Sequence, residues 1–233
     1  MAIQVNAALR GCLAVATTTA LFAMAALPAS VGVVLTGTLA ALPASAQAQT
    51  PPDRFVESLS NDVLGRIRSD KSVQSGDFQQ VSKFVDSAVM PHINFERMTA
   101  LSVGRAWRQA SPEQQKALIT EFRTLLLRTY SGALSQVGDK QVKVRPFRGD
   151  AAADDVIVRT EIVGGRGDPI QLDYRLEKAG SAWKIYDVNV LGAWLVQTYQ
   201  SSFAQEVNAS GIDGLIAKLV ERNKQLANKK STG

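Results

Sequence analysis

The apolar pattern of this chain changes period at about residue 140, and that change limits the fold more than any motif does. Before it, apolar side chains recur at helical spacing; from Val142 to Val190 they recur every second residue; beyond Gly192 the helical spacing returns. A 3.6-residue period marks amphipathic helices, and a period of two marks strands with one wet and one apolar face. The first part predicts a helix over 54–69 capped by Asp53, a second over 77–89 opened by Gly76 and Asp77 and stopped by Pro91, and a short one from Asn94 to Leu101 closed by Gly104. Ser111, Pro112, Glu113 and Gln114 form a capping box with proline at the first helical position. A helix of about six turns follows, with Leu118, Phe122, Leu125, Leu126, Thr129, Ala133 and Leu134 on one side and Gly138 as its terminator.

Four strands are expected next: around Val142 and Val144, over 156–163, over 170–176, and over 183–190. The stretches 164–167 and 179–181 suit hairpin turns. A helix over 193–209 and a final one beyond Gly211, carrying Ile212, Leu215, Leu219 and Leu226, complete the order. Helices, then an antiparallel sheet, then helices give an α+β domain: four strands wrapped by several helices into a cone, whose interior is a place for an apolar cavity.

The N-terminus is of a different kind. Arg10 is the only charged residue among the first 49, and the apolar stretch ends in Ala44-Ser45-Ala46-Gln47-Ala48, which offers overlapping small-x-small sites. This is the pattern of a cleaved secretory signal peptide over 1–48, with 49–53 as a linker, 54–226 as a single domain and 227–233 as a frayed tail. Pro28, Gly32, Gly37 and Pro43 interrupt the apolar run, against a transmembrane anchor. Cleavage would leave roughly 185 residues without the only cysteine, Cys12, so the exported domain is held by its core and not by disulfides. Losing Arg10 takes the net charge from +5 to +4. The bases are interleaved with acids, which argues against a nucleic-acid partner and for weak attraction to anionic lipid or acidic protein faces.

Catalytic groups are scarce. His92 is the only histidine, and neither a Gly-x-Ser-x-Gly elbow nor a set of metal ligands accompanies it. Asp154 and Asp155 read as a solvated turn, and Arg166-Gly167-Asp168 as a hairpin tip. Asp187 is the one acid that alternation places on the inward face of a strand; its expected role is to partner a backbone or basic group. Tyr130, Trp183 and Tyr199 are expected to face the interior, as core or as the wall of a cavity.

Three runs then carry a family resemblance: Phe84 to Met98 (FVDSAVMPHINFERM), Gly104 to Gln115 (GRAWRQASPEQQ) and Glu121 to Tyr130 (EFRTLLLRTY). Trp183 to Val188, Gly192, Tyr199 with Phe203, and Ser210 to Leu215 continue it, in order, across residues 55–226. The chain resembles the periplasmic phospholipid-binding component of the Mla lipid-asymmetry system, also called the toluene-tolerance auxiliary family. One departure is Gln200, where the family usually has arginine; this puts headgroup selectivity in question.

The resemblance implies a soluble periplasmic carrier, acting as a monomer, that holds phospholipid acyl chains in its cone and leaves the headgroup at the surface. Its implied partners are an outer-membrane lipoprotein assembly and an inner-membrane ABC transporter with an MCE-domain protein. It implies no enzyme activity and no cofactor, the phospholipid being cargo. Likeness and inward register together point to Phe122, Leu126, Tyr130, Val142, Val144, Val158, Leu172, Tyr174, Ile185, Leu195, Tyr199 and Phe203 as the cavity lining. A one-residue slip of register would turn a rank of them outward. The other readings are an isomerase-like enzyme using Asp187 and a solid-core interaction protein.

Overall fold

Proline, not aspartate, opens the first helix. In the computed structural model, which describes residues 50–134, 138–150, 152–164 and 168–231, α1 spans Pro52–Ser69. These residues belong to one unit, 46–233. The expected signal peptide and the hairpin tip at 165–167 lie outside the described residues; Gly138, the expected terminator, is left-handed (φ 46°) four residues past Leu134, where the helix Pro112–Leu134 ends. Pro51 stands at the N-cap, Pro52 sits in the first turn, and no side chain caps the helix. Asp53, expected as the cap, lies two positions beyond it, inside the helix. Its carboxylate accepts the N–H groups of Arg54 (2.9 Å) and Phe147 (3.2 Å) instead, and so ties α1 to the chain beyond β1 (Gln141–Val144).

Short polar side chains set the following helix starts. Asp70 begins a one-turn α2 (Lys71–Gln74) by accepting from the Ser72 and Val73 N–H groups, an element the periodicity was too short to reveal. Asp77 accepts from Gln80 N–H at the start of α3 (Phe78–Ala88), and Asn94 from Arg97 N–H at the start of α4 (Phe95–Val103). Before α5 (Pro112–Leu134) the capping box is reciprocal: Gln114 N–H donates to Ser111 Oγ at 3.2 Å, and Ser111 N–H donates to Gln114 Oε1 at 3.0 Å.

The sheet has six strands where four were expected. The predicted strand over 156–163 breaks at Arg159 into β2 (Asp155–Val158) and β3 (Thr160–Val163), and both pair antiparallel with the long β4 (Ile170–Ala179). β5 (Ala182–Val190) pairs with the other edge of β4. A two-residue β6 (Ala193–Trp194) folds back on the end of β5 through Leu191 and Gly192. The order is β1-β3-β4-β5-β6, with β2 beside β4.

Between the Arg175–Asp187 and Leu176–Ile185 pairs, β5 carries one extra residue, Tyr186. This bulge changes the parity of β5. Trp183 and Ile185 share a face with Leu176 and Val156, whereas beyond the bulge Val188 and Val190 share a face with Tyr174 and Leu172. One face is therefore apolar apart from the buried Thr160, from Val142 and Val144 through Ile162, Val158, Leu172 and Tyr174 to Ile185 and Val188. Asp173, Arg175, Asp187 and Asn189 occupy the other face.

The last helix, α6 (Leu195–Ser231), passes the expected end of the domain at 226 and is interrupted at Gly211 (φ 71°), as the sequence suggests. Its two segments pack on α4 and α5 around Phe95, Met98, Leu118, Phe122, Phe203 and Leu215. A second cluster joins the sheet to α1 through Val56, Val156, Val158, Leu176, Trp183 and Ile185, and Trp183 Nε1 donates to the Thr50 carbonyl at 2.8 Å. A third joins α1 to α2 and α3 through Ile67, Val73, Val81 and Phe84. Ile93 and Val188 touch both of the first two clusters. Among the described residues no helix is long and apolar enough to cross a membrane.

Candidate functional site

The structure divides the twelve expected lining residues into two groups. Phe122 (0% exposed), Val158 (1%), Ile185 (2%), Phe203 (4%) and Leu195 (8%) are packed core, with almost no surface left for a ligand in this conformation. Phe122 is gripped by aromatic rings: Tyr199 lies 4.8 Å away edge-on, Phe203 5.2 Å and Phe95 5.7 Å. Alternation and helical period report which way a side chain points, not whether a partner already fills the space in front of it, and these five are buried among other side chains here.

The other seven keep accessible surface. Val142, Val144, Leu172 and Tyr174 are half-buried on the apolar face of the sheet. Leu126 and Tyr199 are half-buried against the helical cluster, and Tyr130, one turn beyond Leu126, is 37% exposed. In the sheet, Tyr174 stands opposite Val158 on one side and Val188 on the other, and Thr160 Oγ1 bonds the Leu172 carbonyl. Ile162 and Ile170, in the ranks the alternation predicts, are further half-buried members of the same face, as are Val188 and Val190, which sequence reasoning missed. The bulge at Tyr186 hid the last two, because strict alternation from Trp183 assigns them to the wet side.

Two phenols report the polarity of this interior. Burial pushes the Tyr174 hydroxyl up to about 12, although the nearby Ser60 and Thr160 hydroxyls favour its ionised form. The Tyr199 hydroxyl is likewise pushed to about 12 by burial, with Tyr130 adding to the effect and Arg222 and Thr129 opposing it. Tyr174 is desolvated by surrounding protein and yet retains accessible surface, so it borders an interior of low polarity. A surface cavity of about 640 Å³ opens at the edge of the sheet beside Val156 and Ile157, and another of about 350 Å³ lies between α1 and α3.

Asp187 faces away from the apolar rank, against the alternation that placed it inward; the bulge is the reason. It is fully buried, and its carboxylate accepts from Arg175 Nη1 (2.8 Å), Val188 N–H (2.9 Å) and Val196 N–H (3.0 Å) at the start of α6. Every bond it makes is structural, which is the role expected of it. Burial raises its pKa against those three bonds. Asp155 is not the free turn residue that was expected: it opens β2 and pairs with Arg97 at 2.8 Å. Arg97 also binds Glu177 and stacks on Tyr186 with its guanidinium carbon 3.7 Å from the ring centroid. Gln200 is exposed and donates to the Leu101 carbonyl at 3.4 Å. Among the described residues no group of three or more His, Cys, Asp or Glu side chains is placed to hold a metal ion.

Three comparisons bear on this arrangement. A family model described as "MlaC protein" matches residues 57–221. The chain is 22% identical over 184 residues, 78% of this chain and 86% of the relative, to the intermembrane phospholipid transport system binding protein MlaC of Haemophilus influenzae. It is 26% identical over 177 residues, 75% of this chain and 81% of the relative, to the toluene tolerance protein ttg2D of Pseudomonas putida. Among solved structures, the phospholipid-binding protein of Ralstonia solanacearum in complex with a phospholipid is similar, with a TM-score of 0.74 and 41% identity. That likeness covers 76% of this chain and 99% of the other.

Proposed function

The chain belongs to the MlaC protein family, a family of phospholipid-binding transport proteins, and on that premise we propose that it is a periplasmic carrier which takes phospholipid acyl chains against the apolar face of its sheet. The observation that carries this reading is the apolar face from Val142 to Val190, on which Leu172, Tyr174 and Val188 keep accessible surface within the fold. Soluble domains fill such a face with side chains; here it is left partly covered. Each methylene moved there from water contributes about 0.8 kcal/mol, so two long chains bind tightly without any hydrogen bond.

The carrier shuttles lipid between an outer-membrane lipoprotein assembly and an inner-membrane ABC transporter bearing an MCE-domain protein, and acts as a monomer after removal of its signal peptide. The chains sit among the half-buried residues Leu126, Val142, Val144, Leu172, Tyr174 and Tyr199 and the exposed Tyr130, with the headgroup outside. Tight apolar binding makes release the difficult step, and release requires a partner that opens the interior or offers a continuous apolar path.

Native mass spectrometry of the mature protein, followed by lipid extraction, tests the proposal. A bound species of phospholipid mass that extracts as phospholipid supports it. A mass of protein alone, with no uptake from liposomes, overturns it.

A further inference from the structure

One edge of the sheet is open, and its surroundings are basic. β2 pairs only with β4. The Lys178 N–H donates to the Asp154 carbonyl at 2.8 Å, and Asp155 stands opposite Glu177. In an antiparallel ladder this makes Val156–Leu176 the hydrogen-bonded pair, so the Ile157 N–H and C=O point away from β4. The Arg159 carbonyl has the same parity and accepts the Arg145 N–H at 2.9 Å, which is where β1 ends its run along this edge. Pro146 follows, with no N–H to offer, and the chain peels away. The space it leaves beside β2 is a basin of about 640 Å³.

The basin is walled by Arg145, Arg148 and Arg159, with Phe147 and Ile157 as its apolar part. Its two acids are engaged: Asp155 with Arg97, and Asp150 with the Ala152 N–H. Arg145 binds Glu161, whereas Arg148 and Arg159 have no ion-pair partner among the described residues. Ile157 is 39% exposed. Edge strands in monomers are ordinarily protected by charged side chains, bulges, prolines or covering loops. This one is flanked by charged residues, and among the described residues no strand pairs with its outer edge.

We propose that β2 is a docking edge for an extended acidic segment of a partner protein, which adds as a strand beside Ile157 with its carboxylates on Arg148 and Arg159. Main-chain bonds to Ile157 give affinity, and the arginines and the Phe147–Ile157 surface select acidic residues alternating with apolar ones. The inference stands on the edge and its charge alone, apart from the lipid site.

The test titrates ¹⁵N-labelled mature protein with an acetylated Glu-Val-Glu-Val-Glu-Val-Glu peptide, using the lysine counterpart as control. The expected result is shifts confined to residues 145–148 and 155–159, with slowed exchange of the Ile157 amide. Affinity should fall about tenfold or more in R148E/R159E and in I157P, which removes the outward N–H but no bond to β4. Absence of shifts there at millimolar peptide overturns the proposal, as does equal binding of the lysine peptide. Unchanged binding by a folded I157P also overturns it, by reducing the site to charge alone. If I157P does not fold, amide exchange in the wild type still decides: an Ile157 N–H that exchanges no more slowly with peptide bound contradicts strand addition. Phosphatidylglycerol vesicles that shift these amides when the peptide does not would assign the arginines to lipid and overturn it too.

Discussion

The Arg175 guanidinium donates to the fully buried Asp187 carboxylate at 2.8 Å while its carbon lies 3.9 Å over the Trp194 ring. One arginine thus joins β4, β5 and β6, and through Asp187 the same cluster reaches the first turn of α6. Asp187→Ala removes an acceptor from two backbone N–H groups and a cation, and should cost about 2–4 kcal/mol in urea unfolding. A loss below half a kcal/mol would show that the cluster is not holding the sheet to α6. Because burial raises the folded-state pKa of Asp187, the folded protein retains a proton that the unfolded chain has released. Its contribution to stability is therefore full below the usual aspartate value and falls as pH rises through the raised one. Relative to D187N, wild-type stability should decline across that window.

The tyrosines extend the pH argument to the alkaline side. Tyr174 and Tyr199 should ionise near 12 in the folded protein. Their contribution to stability is present below the ordinary phenol value and lost as pH rises through 12. Burial also raises Tyr130 and Tyr186, so absorbance titration at 295 nm should show all four tyrosines ionising above the ordinary phenol value, with Tyr174 and Tyr199 latest, and a common midpoint near 10 in guanidinium.

Leu191 turns β5 into β6 with a φ of 53°, and it is 72% exposed. A left-handed leucine costs about 1–2 kcal/mol relative to residues that adopt the conformation freely. With Gly192 also left-handed, the turn suits Asn-Gly. Leu191→Asn should stabilise the protein by about 1 kcal/mol, read as a higher urea midpoint. An unchanged or lower midpoint would mean that the leucine side chain contributes packing that offsets its strain.

The division between core and lining is open to direct measurement. Phe122→Ala opens a cavity among Phe95, Tyr199 and Phe203 and should cost about 3–5 kcal/mol. Leu172→Ala, on the partly covered face, should cost about 1 kcal/mol and reduce retained lipid. Equal losses of stability in delipidated protein would erase the distinction.

Much of this fold was legible in the sequence. The change of period at 140 placed helices and sheet, and the capping signals at Asp77, Asn94 and Ser111 each correspond to a bond in the structure. Asp70 and its four-residue helix were invisible because one turn has no periodicity to read. The break at Arg159 was invisible too, since β2 and β3 keep the same alternation and differ only in what lies on their outer edge. The candidate site was less legible, for two reasons. The bulge at Tyr186 moves parity by one, which misassigned Asp187, Val188 and Val190. Depth within an apolar face depends on which helix covers it, so Phe122, Val158, Ile185, Leu195 and Phe203 pointed the right way but lie beneath other side chains.

The central claim is that acyl chains lie against the sheet's apolar face. Photocrosslinking a phospholipid with a diazirine near the middle of one acyl chain, and mapping the adduct by mass spectrometry, tests it most directly. The account predicts adducts on Val142, Leu172, Tyr174, Val188 or Leu126. Adducts confined to the opposite face, at Asp173, Arg175 or Asn189, or no adduct at all, would contradict it.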